Sequence, residues 1–230
     1  EASNDPSVGA IFFDIDSPGG EAVATHQIVE KIRGVQKPTI AYIGPLGASA
    51  AYWIAASTDY VIADQLSVTA SIGAISMFPN VKGLLEQFDT KMNIVRSGEL
   101  KALPNPFEDF NENQRALIQE FVDDAFLQFK SDILEFRKDK INPREFEQIT
   151  DGRVVSGKRA LELKLVDELL TREKAIEKAG QIAGIEGKPV LKEFGPEKNS
   201  LFDIFSTAGK ALAKGFSSPL NLQENVLIKT

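Results

Sequence analysis

Three features of the sequence predict an α/β fold, a mostly parallel sheet with crossover helices and a long helical C-terminal part. Short apolar runs alternate with amphipathic stretches as far as Val95. Two small-residue turns each follow an apolar run and lead into a helical pattern. After Asn113 a helical spacing of apolar residues takes over. Strands that alternate with helical patterns in this way join as crossover units, whose helices cover the faces of a parallel sheet.

The elements follow in order. Residues 8–15 (VGAIFFDI) form a nearly continuous apolar run ending at Asp16-Ser17-Pro18-Gly19-Gly20, which reads as a buried strand closed by a tight turn. Residues 21–34 place Val23, His26, Ile28, Val29 and Ile32 at helical spacing, with Gly34 and Pro38 as the stop. Residues 39–43 (TIAYI) are a second strand, followed by the turn Gly44-Pro45-Leu46-Gly47. Residues 48–56 are rich in small side chains and long enough for about two helical turns. Further strands are expected at 60–63, 72–77 and 92–95, with a helix at 81–88. From Asn113 to about Lys138, Leu117, Ile118, Phe121, Val122, Ala125, Phe126, Phe129, Ile133 and Phe136 mark one long amphipathic helix. Shorter helices at 143–149 and 157–163, a brief strand at 165–167 and a helix at 172–183 complete a body of residues 1–195. The remaining 196–230 read as a C-terminal helix, marked by Leu201, Phe202, Ile204, Phe205, Ala208, Leu212 and Phe216, and a tail. There is no internal repeat and no clear linker between independent domains.

Composition narrows the chemistry. With 230 residues, 43% hydrophobic and 26% charged, the chain can bury a full core. A net charge of -7 leaves no basic stripe to neutralise phosphates, so nucleic acid is not expected as the main partner. Cysteine is absent, which removes disulfides, thiolate metal sites and cysteine nucleophiles. The single histidine, His26, rules out a multi-histidine site within one chain. No stretch approaches the roughly 18 apolar residues of a membrane span. The chain begins with Glu1 rather than Met, as expected of a fragment or processed form, and an anchor lying upstream would fall outside these residues.

The two small-residue turns, Ser17-Pro18-Gly19-Gly20 and Gly47-Ala48-Ser49-Ala50-Ala51, fall at the carboxyl edge of a parallel sheet, where ligands bind. Glycine there admits a close backbone approach to an oxyanion, or simply serves a turn at positive φ. Ser49 has room around its hydroxyl for a carbonyl to approach, and it also stands where a helix N-cap serine would. Helical spacing sets His26 beside Ala22, Val23, Val29 and Glu30, a face that suits packing or the surface better than catalysis. Lysine is the other base, because a desolvated amine can lose its proton near neutral pH. Most lysines lie in charge-rich helical stretches. Lys101 instead follows Arg96-Ser97-Gly98 and precedes the Pro104/Pro106 loop, a place that suits either a base or an exposed loop lysine.

The order of these motifs resembles the signal peptide peptidase A family. Ser17-Pro18-Gly19-Gly20 comes first, then Gly47-Ala48-Ser49-Ala50-Ala51-Tyr52, Thr69-Ala70-Ser71-Ile72-Gly73 and Arg96-Ser97-Gly98-Glu99-Leu100-Lys101. Gly152-Arg153-Val154-Val155-Ser156-Gly157-Lys158-Arg159-Ala160-Leu161, ending at Leu165-Val166-Asp167, closes the series. The resemblance implies a ClpP/crotonase-like fold over residues 1–195 and a serine endopeptidase that uses a Ser–Lys dyad without metal or organic cofactor. It assigns Ser49 as nucleophile, Lys101 as general base and Ser71 as the group that orients the lysine. Gly19, Gly20 and Ala50 would form the oxyanion hole. It further implies a peptide or protein substrate, with hydrophobic remnant signal peptides foremost, and a homo-oligomer. Membrane association would come through a segment outside these residues, with an extracytoplasmic catalytic domain. Ser49-Ala50-Ala51 stands where many members have Ser-Gly-Gly and is similar to phage-type relatives, so a cytoplasmic head-maturation protease is the alternative. A crotonase-type acyl-CoA enzyme and a non-catalytic scaffold of the same fold are the readings from other classes.

Overall fold

The computed structural model describes residues 1–194 and 225–229. They fall into two compact units: a main unit of Glu1–Ile72 with the described residues from Phe129 onward, and a second unit of Gly73–Gln128.

In the main unit, β1 (Ile11–Ser17) and β2 (Thr39–Ala48) pair in parallel, with α1 (Ala22–Arg33) as the crossover between them. The helix starts where the Glu21 carboxylate accepts the N–H groups of Val23 and Ala24, and it stops at Gly34. The β1–β2 register runs unbroken from Ile11–Thr39 to Ile15–Ile43, then shifts before Ser17 meets Gly47.

The expected turn at Gly44-Pro45-Leu46-Gly47 is instead the second half of β2. This strand changes neighbours midway: residues 40–43 pair with β3 (Tyr60–Ala63) and residues 46–48 with β4 (Val68–Ala70). Pro45, which has no N–H to give a ladder, is exposed between the two pairings. The Ser67 hydroxyl meets the carbonyls of Ile43 and Gly44 at 2.8 and 2.6 Å, and Thr69 donates to Gly47 O at 2.7 Å. These side chains hold the extension of β2 in place, so its end projects past β3.

After α2 (Ala50–Ala56) and α3 (Lys82–Gln87) comes α4 (Glu112–Phe136), the long helix that the apolar spacing predicts. The shorter helices are α5 (Pro143–Glu147), α6 (Gly157–Glu162) and α7 (Arg172–Ile182). β5 (Val154–Ser156) pairs antiparallel with β4, and β6 (Glu168–Leu169) pairs parallel with β3. β7 (Val190–Phe194) and β8 (Asn225–Lys229) are antiparallel to each other, and β8 is antiparallel to β1. The sheet is therefore parallel at its centre and antiparallel at its flanks, with strand order β5-β4-β2-β1-β8-β7 and β3 and β6 branching from β2.

Three expected strands differ. The run at 72–77 joins no strand among the described residues, because Ala70 and Ser71 at φ 67° and 53° end β4 before it; Ile72 is buried, while Ile75 and Met77 are exposed. The run at 92–95 finds no strand partner among the described residues, and Val95 is fully exposed. The strand expected at 165–167 forms just beyond, at Glu168–Leu169, because Lys164 at φ 61° turns the chain and Asp167 is taken by a buried arginine. The helix expected within 196–230 lies outside the described residues, apart from Asn225–Lys229, which form a strand.

The core joins Phe12, Ile40, Ile43, Val61 and Ile62 from the strands to Tyr52, Ile133 and Leu165. Trp53 stacks on Phe129 with ring centroids 4.8 Å apart and donates its indole N–H to Asp132 at 3.0 Å. Arg137 is 2% exposed yet makes four side-chain hydrogen bonds. It holds Asp167 through two N–H groups at 2.8 and 3.1 Å and Lys164 O through two more at 3.2 and 2.7 Å. Burial by itself would raise the Asp167 carboxyl, but Arg137, Lys140 and the Val61 N–H outweigh it and hold the carboxyl below its ordinary value. Such saturation with hydrogen bonds is what lets an ion pair sit in a core.

The second unit contains α3, the 3-10 turn Glu99–Ala102 and the first part of α4. Its ties are an edge-on contact of Phe78 with Phe110, ring centroids 6.0 Å apart, and polar bonds close to the surface. Asp109 accepts from Lys82 at 2.6 Å and from Asn80 at 2.8 Å, Arg96 meets Glu108 at 3.1 Å, and the Val81 N–H reaches Pro106 O at 2.8 Å.

Candidate active site

The extension of β2 delivers Ser49 to the edge of the sheet, where the Ser49 N–H donates to Ala70 O at 2.8 Å. Ser49 has φ 54° and ψ -126°, a backbone conformation that is costly for a residue with a Cβ. It occupies the N-cap position of α2, but its side chain makes no capping bond. The capping explanation for this serine therefore fails, and the strain has to serve something else. A strained serine on a tight strand-to-helix turn presents its hydroxyl outward, as a nucleophile requires.

Strain is concentrated around this turn. Ala48 pairs with Ala70, and the residues that continue the two strands, Ser49 and Ser71, both have positive φ, as does Ala70. Gly19 faces the same place with φ 111°. A Cβ on Gly19 would lie 2.8 Å from Ser49 Cβ, 2.9 Å from Ala48 O and 3.0 Å from Ala50 N. Only glycine permits both that φ and that approach. A Cβ on Gly20 would meet nothing within 4 Å, so the next residue opens onto free space.

Ser71 donates its hydroxyl to Gly152 O at 3.2 Å and its N–H to Arg153 O at 2.9 Å, while the Gly152 N–H returns to Ile72 O at 3.2 Å. The segment after Asp151 thus closes the edge of the site through β5. Gly157 follows, and a Cβ there would fall 1.9 Å from Asp64 O, which explains the glycine.

The structure brings Ser49, Ala50, Gly19, Gly20 and Ser71 to one end of the β1–β2–β4 sheet. Lys101 belongs to the second unit, where it is exposed on the 3-10 turn Glu99–Ala102 and its N–H bonds to Gly98 O at 3.1 Å. His26 is half-buried, its ring edge against Trp53 at 6.2 Å, the packing role that its helical face suggests. Two features escaped the sequence. Ser17, whose Oγ accepts the Gly19 N–H at 3.2 Å, carries only the weak local signal of a hydroxyl two residues before a glycine. The Arg137–Asp167 pair carries none, because its members lie 30 residues apart.

Residues 31–186 match the family model of peptidase family S49. The chain belongs to peptidase family S49. Ser49, Ser71, Lys101 and the segment from Gly152 to Asp167 lie within the matched residues; Gly19 and Gly20 precede them, and their place rests on the geometry. This S49 chain is 29% identical over 229 residues to a Methanocaldococcus jannaschii protein named as a protease, covering 98% of this chain and 73% of that protein. It is 30% identical to an Enterococcus faecium protein named as signal peptide peptidase SppA, over 75% of this chain and 51% of that one. It is 26% identical to capsid assembly protease C of Escherichia phage lambda, over 76% of this chain and 40% of that one. The S49 chain thus spans from two fifths to about three quarters of the length of these relatives. S49 membership makes it a peptidase, and the structure gives it the mixed α/β architecture that the alternating pattern predicts.

Proposed function

We propose that this S49 peptidase is a serine endopeptidase in which Ser49 is the nucleophile and Lys101 the general base. The observation that carries the reading is Ser49 itself, strained at φ 54°, free of any capping bond and packed against Gly19. In its neutral form the Lys101 amine takes the Ser49 proton as Oγ attacks a peptide carbonyl carbon. The carbonyl oxygen becomes an oxyanion and accepts hydrogen bonds from backbone N–H groups at Gly20 and Ala50. The protonated lysine then gives its proton to the leaving amine as the C–N bond breaks, which leaves an acyl ester on Ser49. Water attacks that ester, its proton passes to Lys101, and Ser49 leaves and regains a proton.

Ser71 suits the role of orienting the lysine. Its hydroxyl proton points to Gly152 O, so its lone pairs remain to accept from an amine. The likeness to signal peptide peptidases suggests hydrophobic peptides with small residues before the scissile bond, such as remnant signal peptides, and the small side chains around Ser49 suit a limited pocket. A second reading, a phage-type maturation protease, is favoured by Ser49-Ala50-Ala51 and by the likeness to the phage lambda capsid protease. The homo-oligomer draws support from the many exposed apolar side chains of the second unit.

Incubation with a fluorophosphonate, followed by mass-spectrometric mapping, tests the nucleophile. Label on Ser49 that is lost in Ser49→Ala together with peptide cleavage is the expected result. Cleavage that persists in Ser49→Ala would refute the assignment. Cleavage of hydrophobic peptides against cleavage of a folded scaffold protein separates the two substrate readings.

A further inference from the structure

The backbone donors that follow Ser17 divide into those with a partner and those without. Pro18 has none. The Gly19 N–H is spent on Ser17 Oγ at 3.2 Å. The N–H groups of Val23 and Ala24 are taken by the Glu21 carboxylate at 2.8 and 2.7 Å, and that of Thr25 by Glu21 O at 3.1 Å. The N–H groups of Gly20, Glu21 and Ala22 make no such bond among the described residues; of the three, Gly20 adjoins Gly19, whose Cα lies against Ser49, and it is exposed with open space where a Cβ would stand. Gly19 and Gly20 are therefore not equivalent, although the sequence presents them as a pair.

We infer that Ser17 is a positioning residue which selects Gly20 as the oxyanion donor of the loop. Ser17 is 6% exposed and sits at the last β1–β2 register position, opposite Gly47 and two residues before Ser49 on the neighbouring strand. Its Oγ is thus fixed to the same sheet end that carries the nucleophile. By accepting the Gly19 N–H, it turns that peptide inward and holds Gly19 at φ 111°, where its Cα fits against Ser49 and Ala50. The following peptide, with the Gly20 N–H, is left to face a carbonyl bound at Ser49. Without Ser17 Oγ, the Gly19 N–H would be a buried donor with no acceptor, and the loop would rotate to find one.

This inference rests on Ser49 being the nucleophile, and the experiment separates the two. The full chain is first labelled with fluorophosphonate; failure to label Ser49 brings down the nucleophile assignment and this inference together. With the label in place, Ser17→Ala is compared with wild type for kcat, KM and affinity for a peptide aldehyde, whose hemiacetal with Ser49 places an oxygen in the oxyanion position. Loss of an oxyanion donor costs on the order of 10²–10³ in kcat, so misplacing one is expected to lower kcat and aldehyde affinity by at least about tenfold, in parallel. KM is expected to stay within about twofold, and Ser17→Thr, which keeps the oxygen, to restore both quantities. Should Ser17→Ala not fold, Ser17→Cys, with a poor acceptor of similar size, takes its place. Values of kcat and aldehyde affinity that stay at the wild-type level while only the melting temperature falls would overturn the inference.

Discussion

The two units treat their apolar side chains in opposite ways. In the main unit, strands and helices bury Phe12, Ile40, Tyr52, Ile62, Ile133 and Leu165 almost completely, and a saturated Arg137–Asp167 pair lies among them. In the second unit, no hydrophobic side chain between residues 73 and 128 is fully buried, while Ile75, Met77, Phe88, Val95 and Phe121 are largely exposed. Dense packing is what can hold a strained backbone at a defined place, and the main unit carries all the strained residues of the Ser49 turn. The second unit has surface ion pairs in place of a core, and it carries the flexible cation, Lys101.

The largest expected effect belongs to Lys101. Lys101→Met is expected to lower peptide cleavage by at least about 10³-fold, as loss of the base for a serine nucleophile should. Because the lysine is exposed, thermal unfolding is expected to be unchanged. A Lys101→Met protein that still cleaves would confine the chemistry to the main unit.

Next in size is the contrast between a buried and an exposed ion pair. Arg137→Met takes away the buried partner of Asp167, leaving it Lys140 and the Val61 N–H, and is expected to cost about 3 kcal/mol by urea denaturation. Arg96→Met in the second unit breaks a partly exposed pair and is expected to cost under about 1 kcal/mol. Equal losses would mean that the second unit is as tightly built as the main one.

The same buried pair gives a pH signature. Asp167 is held below its ordinary value in the folded chain, so its contribution is complete above the unfolded carboxylate pKa of about 3.9. That contribution is lost as pH falls through the lower folded value. Urea midpoints at neutral pH and at about pH 3 should therefore differ more in wild type than in Asp167→Asn. A variant with the same acid limb as wild type would remove Asp167 from the account.

The smallest effect on stability belongs to the apolar surface. The paired change Phe88→Ser with Val95→Ser is expected to leave stability within about 1 kcal/mol, since both side chains are exposed. In analytical ultracentrifugation it should shift the protein toward smaller species. An unchanged sedimentation profile would count against self-association through this surface.

Much of the main unit was legible because its signals are local. An eight-residue apolar run, a helical stripe and a glycine stop report β1, α1 and α4 from neighbouring residues alone. The runs at 72–77 and 92–95 look equally strand-like, but a strand needs a partner, and pairing is decided by residues distant in the chain. Positive φ at Ala70 and Ser71 ends β4 before the first run, and the second pairs with no strand among the described residues. Gly44-Pro45-Leu46-Gly47 reads as a turn by composition, yet two hydroxyl side chains, Ser67 and Thr69, keep it extended from more than 20 residues away.

The sequence by itself determined the order of the motifs, the small side chains around Ser49 and the family to which they belong. It left Ser49 open between a helix cap and a nucleophile, since both need a small polar residue at the start of a helix. The tertiary structure decided against the cap by showing a strained backbone with no capping bond, and it separated Gly19 from Gly20. The reason is physical: side-chain size and periodicity are written residue by residue. Which backbone donor is spent and which is left depends on strands some 30 residues apart coming into register at Ser17 and Gly47.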